Sequence, residues 1–203
     1  MAKAKETIIR KGVDAALKLA AENPWAELTL AEIAAEAGLE LSEFHDVADK
    51  ADIAAAIEGV LDKAMSVEGA DMEDTPRERL FDVIMLRFEE METHRGALLS
   101  LQHYRERNPR RLAKLGRARM KTARWALACA GLDGQSDVPM SVRAAGLAWT
   151  LSRTERAWRK EESADFSRTM AELDKQLRAA EERIGWLTRW TGRGKTPESE
   201  APE

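Results

Sequence analysis

Eleven residues, Thr29 to Leu39, constrain the fold of this chain more than any others. Thr29 stands where a helix must begin. Glu32 follows three residues later, where its carboxylate reaches back to the Thr29 amide while the threonine oxygen receives the Glu32 amide. Leu30, Ile33, Ala34 and Ala37 recur at spacings of three and four and form one apolar stripe. Gly38 suits the left-handed turn that ends such a helix. A helix this short cannot cover its own apolar face, so it must pack on neighbours at once.

Those neighbours have the same period. Ile9, Val13, Ala16, Leu17 and Ala20 predict a helix over about residues 4–21, closed by Asn23-Pro24. Trp25 and Leu28 are expected to fold back onto the core. A short third helix is predicted over about 41–47, with Leu41 and Phe44 inward, and a fourth begins near Asp49 with Ile53, Ile57 and Leu61. After a polar stretch at 66–74, Thr75-Pro76-Arg77-Glu78 repeats the start signal, with proline at the first helical position. Thr93 is read as the cap of a next helix and Asn108-Pro109 as the opening of a basic one. Two long helices are predicted over about 140–160 and from Ser163 onward. No segment alternates with period two, so a sheet is not expected. With 33% charged residues, the helices are expected to have wet outer faces.

Charge is unevenly spread. Residues 1–62 carry six lysines and arginines against thirteen acids, net −7, whereas 104–125 carry nine against Glu106 alone, net +8. The basic stretch suits phosphates, an anionic membrane or an acidic partner, or else a solvated face offset by acids on neighbouring helices. Trp186, Leu187 and Trp190, with Arg189, Arg193 and Lys195, make an amphipathic end of the kind that lies at a lipid interface or packs in a helix contact.

The segment Thr29-Leu30-Ala31-Glu32-Ile33-Ala34-Ala35-Glu36-Ala37-Gly38-Leu39, placed after one amphipathic helix and before Asp49-Lys50, resembles the helix-turn-helix of the TetR family of transcriptional regulators. The resemblance implies an all-α, TetR-like fold. Residues 1–62 would form the helix-turn-helix domain and 63–191 a ligand-binding and dimerisation domain; residues 192–203, rich in Gly, Pro and Glu, are expected from composition to be a flexible tail. The resemblance implies a homodimer paired through the last two long helices, and a third helix that enters the DNA major groove. DNA contacts then fall to Thr29, Ser42, His45 and Lys50. A cavity for a small apolar ligand is implied among the middle helices, with Met85, Phe88, Met91, Trp125, Cys129 and Trp149 as its candidate lining.

The chain departs from the family at the groove-facing segment. Residues 38–49 contain no lysine or arginine but hold Glu40, Glu43, Asp46 and Asp49. Affinity for DNA comes largely from neutralised phosphates, and like charges at ~4 Å repel by on the order of 1 kcal/mol even in water. The stretches Met91–Leu98, Trp125–Gly131 and Val142–Ala180 also resemble a second family of the same fold, the lipid-binding accessory proteins of coenzyme Q biosynthesis. That resemblance implies the alternative function, lipid binding without DNA.

Other chemistry finds little footing. The single cysteine, Cys129, cannot form an internal disulfide and is expected buried, in keeping with a cytoplasmic protein. The first residues run straight into an amphipathic pattern with no secretion signal. His94 and His103 lack metal-ligand spacing. No phosphate loop, nucleophile signature or cofactor fingerprint occurs, so neither enzyme activity nor a cofactor is expected.

Overall fold

The computed structural model describes residues 2–107 and 109–192, with side chains described except at 2, 109–112, 114 and 184–192. Its described residues form eight α-helices, one 3-10 turn and no strands. The first group is α1 (Ala2–Glu22), α2 (Leu30–Glu36), a 3-10 turn (Leu41–Phe44) and α3 (Lys50–Ala64). There follow α4 (Pro76–Thr93), α5 (Arg95–Glu106), α6 (Pro109–Cys129), α7 (Met140–Trp158) and α8 (Ser167–Gly192).

The helix starts follow the cap chemistry. Thr29 and Thr75 each make the reciprocal capping box with the glutamate three residues on, and Asp49 does the same with Asp52. Gly38 takes φ +64°, the left-handed value expected of it. The apolar stripes of α1, α2 and α3 meet through Val13, Leu17, Ile33, Ile53 and Ile57, and Trp25 is fully buried beneath them. Phe44 plugs this cluster. Its ring lies so close to α1 that a Cβ on Gly12 would stand 3.0 Å from it. Truncating a core side chain such as Ile33 to alanine costs about 2–5 kcal/mol.

Four expectations are corrected. The third helix is only the turn Leu41–Phe44, because Asp46, at φ 60°, reverses the chain just beyond it. Leu41 is half exposed at the open end of that turn instead of facing inward. Thr93 does not cap α5. Its hydroxyl donates back to the Glu90 carbonyl at 2.8 Å, and the break falls at His94. The last helix starts at Ser167, since the Glu161 carboxylate accepts from the Ser163 and Thr169 amides and holds the intervening residues as a loop.

α1 packs on α5, α3 on both α4 and α6, and α7 on both α6 and α8. The same core cluster continues through Ile84, Phe88, Leu101, Leu151, Trp158 and Leu173. Among the described residues, no helix is long and apolar enough to cross a membrane. The tail expected at 192–203 lies outside the described residues beyond Gly192, as do the side chains of Trp186, Leu187 and Trp190.

Candidate functional site

The tip of the helix-turn-helix is built from side chains that serve their own backbone. The Glu32 carboxylate receives the Thr29 amide at 2.7 Å and the Thr29 hydroxyl at 2.7 Å. These bonds from Thr29 hold Glu32 below the usual carboxylate range. An anion that approached the start of α2 would therefore meet a carboxylate already in place. Glu43 accepts the Glu40 amide at 2.8 Å, and Asp52 accepts the Asp49 amide at 3.0 Å.

Of the four residues expected to face DNA, Thr29 is committed to this cap. Ser42 and His45 are exposed, with His45 Nδ1 3.0 Å from the Asp46 carboxylate. Lys50 turns inward. Its ammonium donates to the Trp25 carbonyl at 2.6 Å and to the Leu28 carbonyl, and lies 5.4 Å from the centre of the Tyr104 ring. It thereby ties α3 to the turn before α2. The shallow cleft at the tip, about 740 Å³, has Asp46, Asp49 and Asp52 in its wall, with Lys5 the one lysine or arginine among the described residues that line it.

Behind the tip lies a buried knot of charge that the sequence reading missed. Arg87 of α4, 1% exposed, donates from Nη2 to Glu58 at 2.7 Å and from Nε to Asp62 at 3.0 Å. Arg105 of α5 takes the other Glu58 oxygen at 2.6 Å and also the Ala54 carbonyl. Thr122 of α6 donates to Asp62 at 2.9 Å. Beside them Arg119 pairs with Glu155, which Arg159 also holds at 3.1 Å. Burial alone would push Glu58 up, but Arg105, Arg87 and Arg119 together pull it down to about 2. Burial raises Asp62 and lowers Arg119 to about 10, which leaves the arginine charged at neutral pH. Such a knot adds little net stability over an apolar core, yet losing one member leaves a charge buried without a partner. The available signal was spacing: Ala54, Glu58 and Asp62 run at i, i+4 alongside the Ile53–Ile57–Leu61 stripe.

The six residues expected around a cavity are dispersed. Phe88 and Met91 are packed in the core, and Met85 edges a shallow polar cleft near Asp71 and Asp82. Cys129 is half buried, its thiol raised by burial and by Asp62. Trp149 is exposed on the outer face of α7, where Val142 is also exposed. Trp125 borders a cleft of about 330 Å³ between α3 and α6. A separate groove of about 230 Å³ runs between α4, α6, α7 and α8, with Leu80, Leu127, Leu147 and Leu177 in its wall. Among the described residues, no group of three His, Cys, Asp or Glu is placed to hold a metal ion.

No family model matches this chain. No curated protein matches it by sequence. By structure it is similar to a TetR transcriptional regulator from Rhodococcus sp. RHA1, with a TM-score of 0.62 at 14% identity, over 87% of this chain and 94% of that one. The chain therefore has the all-helical TetR-type fold.

Proposed function

We propose that this chain is a non-enzymatic binding protein on the TetR frame, one whose helix-turn-helix does not read DNA. In this reading its ligand is an apolar molecule of lipid type, it works as a homodimer, and it resides in the cytoplasm. The observation that carries the reading is the state of Lys50. Lys50, the one lysine or arginine of residues 38–50, is held by the carbonyls of Trp25 and Leu28, and Lys5 of α1 meets the tip at the Asp46 carbonyl, 3.5 Å away, while Glu40, Glu43, Asp46, Asp49 and Asp52 remain at the tip. A surface of this sign repels phosphates, and repulsion is strongest at low salt, where most DNA-binding proteins bind best. The apolar groove walled by Leu80, Leu127, Leu147 and Leu177 supports the ligand. Trp149, 53% exposed on α7, supports the dimer, while Val142 of the same helix borders the groove. The division at 62/63 is retained within this proposal as the limit of the helix-turn-helix portion, two residues before the end of α3 at Ala64.

A second reading, a ligand-responsive transcriptional regulator, is favoured by the Rhodococcus neighbour and by the doubly anchored α2. It keeps Ser42 and His45 as base-facing groups and adds Lys5, which lies at the tip cleft. Native mass spectrometry of the purified protein, paired with mapping of the genomic sites it occupies, separates the two. The proposal expects a co-purified apolar ligand and no sequence-specific occupancy. Discrete genomic sites sharing one motif would reject it in favour of the regulator.

A further inference from the structure

The cleft between α3 and α6 combines three features that neither reading uses. Its wall contains three cations, Lys63 of α3 with Lys121 and Arg124 of α6. None of the three has an ion-pair partner among the described residues, and all are exposed. The acid in the wall, Asp62, has its carboxylate turned into the buried knot, where Arg87 and Thr122 hold it. The cations therefore face the cleft without a local counter-charge.

The second feature is Trp125. Its indole N–H donates to the Asp62 carbonyl at 2.9 Å, which fixes the ring's edge against α3. The side chain is nevertheless 43% exposed. A large aromatic left this open while its polar atom is satisfied offers a rigid apolar surface at small entropic cost to a ligand. The third feature is Gly59, which lines the α3 side and carries no side chain into the space; a Cβ there would meet nothing within 4 Å. The cleft is thus walled by carbon and rimmed by positive charge. Arg117, one turn before Lys121 on α6, is likewise exposed.

We infer that this cleft is a binding site for a phosphate ester with an aromatic or apolar body, the body against Trp125 and the phosphate among Lys63, Lys121 and Arg124. The volume of about 330 Å³ is at the lower end for small-molecule sites. Lysine ammoniums and an arginine fork suit phosphate oxygens in particular. The site lies outside the groove walled by Leu80 and Leu177, so it stands whether or not that groove takes a lipid. The same chemistry is presented by a soluble nucleotide and by the headgroup of an anionic phospholipid.

The test uses the full chain. Calorimetric titration with adenosine monophosphate and with inorganic phosphate is run beside flotation on phosphatidylcholine vesicles with and without phosphatidylglycerol. Lys121→Gln and Arg124→Gln are each expected to weaken binding about fivefold, the worth of one charge contact at ~4 Å in water. The loss should shrink as salt is raised. Trp125→Phe keeps a ring in place and should weaken the nucleotide while leaving inorganic phosphate unchanged. Saturable binding of the nucleotide assigns a soluble ligand; binding only to phosphatidylglycerol vesicles assigns a headgroup; both support the site. Two outcomes overturn it: no binding of either probe, or binding that survives in a Lys121→Gln, Arg124→Gln double variant whose melting temperature matches the parent.

Discussion

The two halves of α3 carry the same kind of residue to opposite ends. At its start, Asp49 and Asp52 are exposed and exchange hydrogen bonds with each other's amides. In its second half, Glu58 and Asp62 are buried and held by arginines from α4 and α5 and a threonine from α6. The first pair ends the chain reversal at the tip and leaves negative charge in solvent. The second pair locks α3 onto the rest of the molecule. An acid's role here is set by who reaches it, and the arginines that reach Glu58 cannot reach Asp52. In the proposed function, the helix-turn-helix is tied to the rest of the molecule by the buried pair, and its exposed acids are what keep phosphate away.

The sharpest break of this contrast is Arg87→Met. It fills the space but leaves Glu58 with Arg105 alone and the Asp62 carboxylate with only the Thr122 hydroxyl in the interior, and should cost about 3–5 kcal/mol. For a chain of this length the melting temperature should fall by on the order of 10 °C. Asp49→Ala, which removes only an exposed cap, should cost about 1 kcal/mol. Thermal and urea unfolding followed by circular dichroism compares the two. Equal losses would mean that the buried half of α3 is no more tightly held than its exposed half.

Acid sharpens the same contrast. Glu58 is held at about 2, below its ordinary 4.5, so its contribution to stability is complete above pH 4.5 and is lost as pH falls toward 2. Asp62 is raised by burial and has the opposite sign, gaining slightly as pH falls through its ordinary range, so it offsets part of the loss. Glu58→Gln should therefore lower stability at neutral pH and flatten its dependence between pH 4.5 and 2. The check is the unfolding free energy from urea titrations at several pH values. An unchanged slope in the variant would remove Glu58 from the acid response.

The capped starts at Thr29 and Thr75 were legible because a capping box is a local signal: two residues three positions apart decide it and no distant partner is needed. The same holds for Gly38 and for the apolar stripes of α1 to α3. Legibility failed where a side chain had two competing local choices. Thr93 bonds back into its own helix, and Glu161 draws the chain into a loop past Ser163. It failed again for long-range charge. Arg105 and Arg119 sit in a stretch that is strongly basic in sequence, yet they point inward to Glu58 and Glu155, while Lys121 and Arg124 of the same stretch point out. Composition counts such charges alike; only packing tells them apart. Lys50 followed the same rule, drawn inward by carbonyls that no spacing argument places beside it.

The claim that the tip does not read DNA has a direct measurement: fluorescence anisotropy of labelled random-sequence duplex DNA titrated with the full chain at low salt. It is repeated with a Glu43→Gln, Asp46→Asn variant, asparagine being chosen because it tolerates the left-handed φ of 60° at position 46. The account predicts no saturable binding by the parent and none by the variant, since removing two acids frees no cation while Lys50 stays bound to Trp25 and Leu28. Saturable binding by the parent that weakens steeply with salt, and that strengthens in the variant, would contradict it and place the tip against a phosphate backbone.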